Sequence, residues 1–287
     1  MQSNKTIRIF DGATAIVTGG ASGIGRALAE ELAKRGCEVV LADLQIELAD
    51  EVASAIHVSG GKAKAVQIDV TDFPSMEHLV QETVRRTGRL DYIFNNAGIV
   101  IGGQVNRLGI EDWNQIVDIN LRGVINGIQA TYQIMMKQGF GHIINTASIG
   151  GLIVDPGNVA YITTKYAVVG LSKSLRAEAA QMGIRVSVLC PGLIRTPILE
   201  GGKYGKMLID ISPEELQRML ETGRPMSPKL FAKKVLKSIA KNKAIIIVPS
   251  WWKLFWWIDR LSPSLGILGA QRYYQYWQKK LGIMQKS

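Results

Sequence analysis

An apolar run, Ala13-Thr-Ala-Ile-Val-Thr-Gly19, leads directly into Gly19-Gly-Ala-Ser-Gly-Ile-Gly25, and a stretch of helical character from Arg26 to Arg35 comes next. Few signals limit a fold so tightly. The apolar run reads as a buried strand, the turn needs backbone room that only glycine leaves, and the helix must fold back over the strand. Such a turn lets the backbone approach a pyrophosphate, while the amide groups and dipole at the helix amino terminus favour the anion. A glycine-rich turn can also be an ordinary loop, and the residues after Arg35 decide between the two.

The next apolar run, Glu38-Val-Val-Leu-Ala42, ends in Asp43, eighteen positions past Gly25. A carboxylate at the end of the second strand is placed to accept hydrogen bonds from adenosine ribose hydroxyls, and its charge would repel a 2′-phosphate. This favours NAD over NADP; Arg26, a cation near that ribose, is the feature that would tolerate a phosphate. The alternation then repeats. Residues 46–59 read as a helix, Lys64 to Ile68 as a strand ending at Asp69, residues 74–87 as a helix, and Leu90 to Phe94 as a strand ending in Asn95-Asn-Ala-Gly98. Strands alternating with helices predict a parallel sheet covered on both faces, with ligand groups at the strand carboxyl ends. Asp69 and Asn95 can serve there, or can equally cap helices and form turns.

Further along, a long helix is expected from about Glu111 to Gln138, with Asn120 in its middle. Asparagine is a poor residue there because its amide competes with the backbone. It marks either a local distortion that holds a water or an exposed polar position. The run His142-Ile-Ile-Asn-Thr-Ala147 reads as a buried strand, which puts Ser148 at a strand carboxyl end. In a helix over 158–182, Tyr161 and Lys165 are four apart and share a face. A fixed positive charge beside a phenol lowers its pKa from about 10 and makes it a usable acid or base, while a nearby hydroxyl polarises a substrate oxygen. Mere packing of the two side chains is the alternative. Ile184 to Leu189 is another buried strand, with Cys190-Pro-Gly192 and Arg195-Thr-Pro197 after it. Residues 193–226 mix glycine, proline and charge, as expected of a mobile substrate flap.

A chain of 287 residues fits a single α/β domain, residues 1–249, with an extension over 250–287. Two cysteines, Cys37 and Cys190, far apart in interior-like runs, suggest a reducing compartment. Met1 to Phe10 lacks the apolar core of a secretory signal, so a cytoplasmic protein is expected. His57, His78 and His142 lack ligand spacing, and no metal site is expected. The net charge of +10 is uneven: residues 227–287 hold ten lysines and two arginines against Asp259 alone, so the rest of the chain is near neutral. Five of the six tryptophans share this tail. That combination argues against nucleic acid as a partner.

Ala244 to Pro249 can supply a last strand, after which 38 residues remain. Over Ser250 to Leu261, a helical projection puts Trp251, Leu254, Phe255, Trp257, Ile258 and Leu261 on one side and Lys253, Asp259 and Arg260 on the other. This amphipathic segment falls short of the ~20 residues that span a bilayer. Packing on the body or on another subunit, contact with a membrane surface, and lining of a substrate site remain open as its roles. The last two would suit a lipophilic substrate.

Thr18-Gly-Gly-Ala-Ser-Gly-Ile-Gly25, Asp69-Val70, Asn95-Asn-Ala-Gly98, Asn120, Ser148, Tyr161-x-x-x-Lys165 and Pro191-Gly192 together resemble the classical short-chain dehydrogenase/reductase family in order and spacing, over about residues 11–200. The resemblance implies a Rossmann-type doubly wound parallel sheet of seven strands, ordered 3-2-1-4-5-6-7. It implies a catalytic tetrad of Asn120, Ser148, Tyr161 and Lys165, with Asn120 holding a water that links Lys165 to a proton relay. Cofactor contacts would come from Thr18, Gly19, Ser22, Gly23, Ile24, Gly25, Asp43, Asp69, Val70, Asn96, Ala97, Gly98, Tyr161, Lys165, Pro191, Gly192 and Thr196. Asp69 would meet the adenine, Lys165 the nicotinamide ribose and Thr196 the carboxamide. The implied activity is NAD-dependent interconversion of a hydrophobic secondary alcohol and its ketone, of steroid, retinoid or long-chain type. An NADP-dependent carbonyl reductase is the alternative within enzymes, and a non-catalytic dinucleotide sensor at membranes is the alternative outside them. The family pattern also implies a homodimer or homotetramer through the helices bearing Asn120 and Tyr161, with Val168, Val169, Leu171 and Leu175 offering apolar surface.

Overall fold

The computed structural model describes residues 6–199, 204–208 and 212–280. Strand β1 (Thr14–Thr18) is followed by α1 (Gly23–Ala33), β2 (Glu38–Asp43), α2 (Ile46–Val58), β3 (Lys62–Gln67), α3 (Phe73–Thr87) and β4 (Tyr92–Asn95). The second half runs β5 (Val100–Gly103), α4 (Ile110–Val117), α5 (Gly123–Gln138), β6 (Gly141–Thr146), α6 (Val159–Ala179), β7 (Ile184–Pro191) and β8 (Gly205–Leu208). Then come α7 (Pro213–Thr222), α8 (Pro228–Ala240), β9 (Ile245–Val248), α9 (Trp252–Leu261) and α10 (Pro263–Lys280).

Seven strands form one sheet in the order β3-β2-β1-β4-β6-β7-β9, every neighbouring pair parallel. Counting only the main-sheet strands, this is the expected 3-2-1-4-5-6-7. The short β5 and β8 form a separate parallel pair. Alternation along each strand divides the apolar residues between two cores. Ala15, Val17, Val39 and Leu41 face a core closed by Leu28 and Leu32 of α1, Val52 of α2 and Phe231 and Val235 of α8. Ile16, Val40 and Ile93 face the other, closed by Met76 and Val80 of α3, Val124 and Ile128 of α5 and Val168 of α6. Each such large apolar side chain stabilises the fold by about 1.5–3 kcal/mol on burial.

The folded chain alters two sequence expectations, decides a third that was open, and adds a helix the sequence reading did not include. The 111–138 helix is broken: α4 and α5 are joined by a wide turn over Asp118–Arg122, in which the Gly123 N–H donates to the Asp118 carbonyl five residues back. Asn120, in that turn, is fully buried, so the exposed reading fails. Helix α8 was hidden in the lysine-rich stretch; Lys233, Lys234 and Lys237 are exposed while Phe231, Val235 and Ile239 are buried. Val168 and Val169 are buried in the core of the chain itself, so they leave no surface for a partner. What α5 and α6 expose instead includes Ile125, Met136, Val159 and Tyr166.

Helix α9 docks by a narrow edge, not by its broad apolar face. Trp252 and Trp256 pack on the second core, whereas Trp251, Leu254, Phe255, Trp257, Ile258 and Leu261 are all exposed. Gly266 opens α10 against α9, since a Cβ there would strike the Asp259 carboxylate.

A buried polar relay ties the second core together. Asn95 Nδ2 donates to Asn145 Oδ1 (2.8 Å), Asn145 Nδ2 to Ser172 Oγ (3.0 Å), and Ser172 Oγ to the Val168 carbonyl (2.7 Å). Helix α5 fits over it only because Gly127 has no side chain; a Cβ there would collide with Asn95 Oδ1. Gly127→Ala is therefore expected to destabilise the protein by about 1–3 kcal/mol as an overpacking change, read as a lowered denaturation midpoint with an unchanged denaturant slope.

Candidate active site

The site forms where β1 and β4 diverge, at the carboxyl ends of the strands. The Thr18 hydroxyl, at the end of β1, donates to the Phe94 carbonyl (3.2 Å) and accepts the backbone N–H groups of Asn96 (2.9 Å) and Ala97 (3.0 Å). Asn96 Nδ2 returns a bond to the Thr18 carbonyl (3.1 Å), and Thr146 Oγ1 donates to Asn96 Oδ1 (3.3 Å). Gly19, at φ 64°, lies so close to Ala97 that an added Cβ would sit 3.0 Å from its Cα. A Cβ on Gly25 would collide with the Gly19 carbonyl, so the turn closes on itself only with glycine at both places. Ser22 precedes α1 in extended conformation, and Gly23 and Ile24 form its first turn. This leaves the amino terminus of an eleven-residue helix beside a backbone-lined cradle, an arrangement that fits the pyrophosphate of a dinucleotide.

Asp43 ends β2 and reaches back to the cradle. Its Oδ2 accepts the Ala21 N–H (2.9 Å) and its Oδ1 the Gln45 N–H (3.0 Å), which leaves further acceptor capacity on both oxygens for a ribose diol. Thr196 is buried over the same turn, with its Cβ 3.3 Å from where a Cβ on Gly23 would lie. Val70 is buried, and Asp69 Oδ1 accepts both the N–H (2.9 Å) and the hydroxyl (2.7 Å) of Thr71, so its local role is turn formation. Pro191 ends β7, and Gly192 comes directly after it.

Two of the four candidate catalytic residues, Asn120 and Lys165, meet at Gly98, and Tyr161 links Lys165 to the Ser148 hydroxyl. A Cβ on Gly98 would lie 3.1 Å from Asn120 Oδ1 and 3.5 Å from Lys165 Nζ. The Asn120 side chain clamps Ile99 from both sides: Oδ1 accepts its N–H (2.8 Å) and Nδ2 donates to its carbonyl (2.9 Å). A longer bond reaches Thr164 Oγ1 at 3.4 Å. Lys165 Nζ donates to the Thr146 carbonyl (3.2 Å) and lies 5.4 Å from the Tyr161 ring centre. Ser148 lies just past β6, where its Oγ accepts the Gly150 N–H (3.1 Å).

Burial dominates the electrostatics of this pair, contrary to the expectation that Lys165 alone would bring the phenol down. Burial pushes Tyr161 up to about 12, the Ser148 hydroxyl beside it pulls the other way, and Asp155 raises it further. Burial equally lowers Lys165 to about 8. At neutral pH the phenol is thus protonated and the lysine mostly cationic. The thiol of Cys190 is driven far up by burial and stays protonated.

Sequence reasoning missed part of this neighbourhood. The Trp252 indole packs on Gly192 so closely that a Cβ there would collide with it. The Tyr274 hydroxyl accepts a hydrogen bond from Gln104 Nε2 (3.1 Å), and its ring edge lies 3.4 Å from a Cβ position on Gly157. Helices α9 and α10 thereby reach the rim beside β5 and the loop before α6. The spacing of Trp252 and Trp256, four apart, was the available signal, but the broader apolar stripe obscured it.

Known proteins resemble this arrangement. A family model described as short chain dehydrogenase matches residues 13–203. Over 190 residues the chain is 39% identical to oxidoreductase UcpA of Salmonella typhimurium, covering 66% of this chain and 72% of that one. It is 38% identical over 187 residues to 2,5-dichloro-2,5-cyclohexadiene-1,4-diol dehydrogenase LinX of Sphingobium indicum, covering 65% and 75%. A short-chain dehydrogenase/reductase from Burkholderia phymatum, solved in complex with NAD, superposes with a TM-score of 0.82 at 26% identity, covering 90% of this chain and 96% of that one.

The lysine's environment has a measurable consequence. Its folded value near 8 lies below the ordinary 10.5, so between those values the unfolded chain binds more protons and stability rises with pH. Comparing the denaturant stability of the wild type with that of Lys165→Met from pH 7 to 11 isolates this term. The wild type should gain on the variant by up to roughly 3 kcal/mol as the pH rises through that window.

Proposed function

The chain belongs to the short-chain dehydrogenase family and is an NAD(P)-dependent oxidoreductase; we propose that it uses NAD to interconvert a hydrophobic secondary alcohol and its ketone, with Tyr161 as acid and base. The observation that carries this reading is the convergence of Tyr161, Lys165, Asn120 and Ser148 beside a dinucleotide-shaped cradle. The glycine turn, Asp43, Asp69, Val70, Asn96, Ala97, Gly98, Pro191, Gly192 and Thr196 would hold the nicotinamide cofactor, which would supply the hydride acceptor or donor.

The side chains handle the proton. Ser148 holds the substrate oxygen, and Tyr161 removes its proton in oxidation or returns it in reduction. Because burial, reinforced by Asp155, holds the phenol near 12 against the pull of Ser148, the phenolate needs the Lys165 charge, and the same ammonium would hold the nicotinamide ribose. The Asn120 amide is engaged by Ile99, so a relay water would be held through its backbone carbonyl, in the wide turn that interrupts the helix ladder.

The carboxylate of Asp43 supports NAD rather than NADP. Trp252 and Tyr274 at the rim, together with a flap over 193–226 tied down through β8, support an apolar substrate. The reading includes a homodimer or homotetramer, and an extension over 250–287 that touches a membrane periphery.

Turnover of lipophilic alcohols and ketones with NAD and NADP in parallel tests it. Tyr161→Phe should lower kcat/KM by roughly 10²–10⁴-fold while NAD affinity stays within a few-fold of wild type; undiminished turnover would overturn the mechanism. Asp43→Ser should shift the preference toward NADP, and an unchanged NAD:NADP ratio would remove Asp43 as the determinant.

A further inference from the structure

Helix α9 is amphipathic, yet it is mounted with its apolar side outward. At about 100° per residue, Trp252, Trp256 and Asp259 share the edge that packs on the body, and the apolar stripe from Trp251 to Leu261 covers the opposite arc. Lys253 and Arg260 lie between the two. The exposures are large, 64% for Leu254 and 79% for Leu261, and Leu265, Ile267 and Leu268 of α10 add to them. Eleven of the exposed large hydrophobic side chains among the described residues fall within 251–280. A contiguous surface of that kind in water marks an interaction site.

The composition and charge of the helix pair select the occupant. Residues 250–280 carry Lys253, Arg260, Arg272, Lys279 and Lys280 against Asp259 alone. Two copies of so basic a face would repel one another, whereas an anionic surface would attract it. Tryptophan and tyrosine suit the boundary between headgroups and acyl chains. The flanking cations can keep their stems on the apolar surface and their heads among the phosphates. Arg260 already lies over Trp256 (5.8 Å) and Lys280 over Trp277 (4.8 Å) in this way. No helix among the described residues is long and apolar enough to cross a membrane, so the pair would lie on the surface.

We propose that the outer face of α9 and α10 docks on an anionic lipid bilayer, with the α9 stripe inserted at the headgroup boundary and Lys253 and Arg260 on the phosphates. This deepens the membrane-contact reading of 250–287 and rests on that part of it, independently of the proton and hydride chemistry. The docked face is continuous with the site: Trp251 stacks on Trp252 at 4.3 Å, and Trp252 covers Gly192. Two aromatic rings thus separate the lipid from the end of β7, which favours a substrate dissolved in the bilayer.

The test is co-sedimentation of the full chain with phosphatidylcholine vesicles, with and without phosphatidylglycerol, at low and high salt. NAD binding, monitored by fluorescence, serves as the fold check. The wild type should bind the anionic vesicles at least about tenfold more tightly than the neutral ones, with the difference shrinking at high salt. Leu254→Asp combined with Leu261→Asp, at positions already exposed, should lose binding by at least tenfold while NAD binding is retained. Absence of sedimentation with anionic vesicles, or equal sedimentation of wild type and variant, would overturn the proposal. So would light scattering that shows a dimer split by the variant with no vesicle binding, since a second copy would then cover the face.

Discussion

The Thr18 hydroxyl holds together the two halves on which the rest depends. In a doubly wound sheet the chain leaves β1 toward β2 on one side and continues toward β4 on the other, so a crevice opens between the carboxyl ends of β1 and β4. One oxygen bridges that gap, donating to the Phe94 carbonyl and accepting from Asn96 and Ala97. It fixes the backbone after β4 against the glycine turn after β1, where Gly19 and Ala97 are in contact. Every other group at the site is placed relative to that junction. Asp43 is tied to it through Ala21, and Asn120 is tied to it through Ile99, just past the Asn96 and Ala97 segment.

Burial then sets the chemistry. A phenol and an ammonium group near each other in water would titrate near their ordinary values. Enclosed between α6, β6 and β7, they move in opposite senses, the phenol up to about 12 and the lysine down to about 8, because each loses solvation for its charged form. The neutral phenol and the mostly cationic lysine are the states that donate a proton and stabilise the anion left behind. The wide turn around Asn120 belongs to the same design. It interrupts an otherwise long helix at the point where an amide must reach Ile99, and local widening of a helix is common at functional sites.

The helix pair at the carboxyl end obeys a different rule. An amphipathic helix on a globular body normally buries its broad apolar face, but α9 buries only Trp252 and Trp256 and leaves that face outside. Its docked edge is aromatic and meets Gly192, a position where any side chain would clash. A basic, aromatic outer surface is thus mechanically joined to the rim of the crevice.

Much of this was legible in the sequence. The alternation of apolar runs with helical stretches implied the parallel sheet, because a strand buried on both faces has to be continuously apolar. The glycine spacing marked the crevice because the tight turn leaves no room for a Cβ, and Tyr161 and Lys165 were legible as a pair because residues four apart share a helix face. The break at Asn120 was legible only as an option, since the sequence cannot say whether a mid-helix asparagine faces water or Ile99. Tertiary structure alone decided that Val168 and Val169 belong to the core of the chain, that lysine-rich residues 228–240 pack as a helix, and that α9 turns its apolar stripe outward. Periodicity identifies which residues share a face; which way that face points depends on partners distant in the chain, here Gly192 and the second core, and no local pattern encodes them.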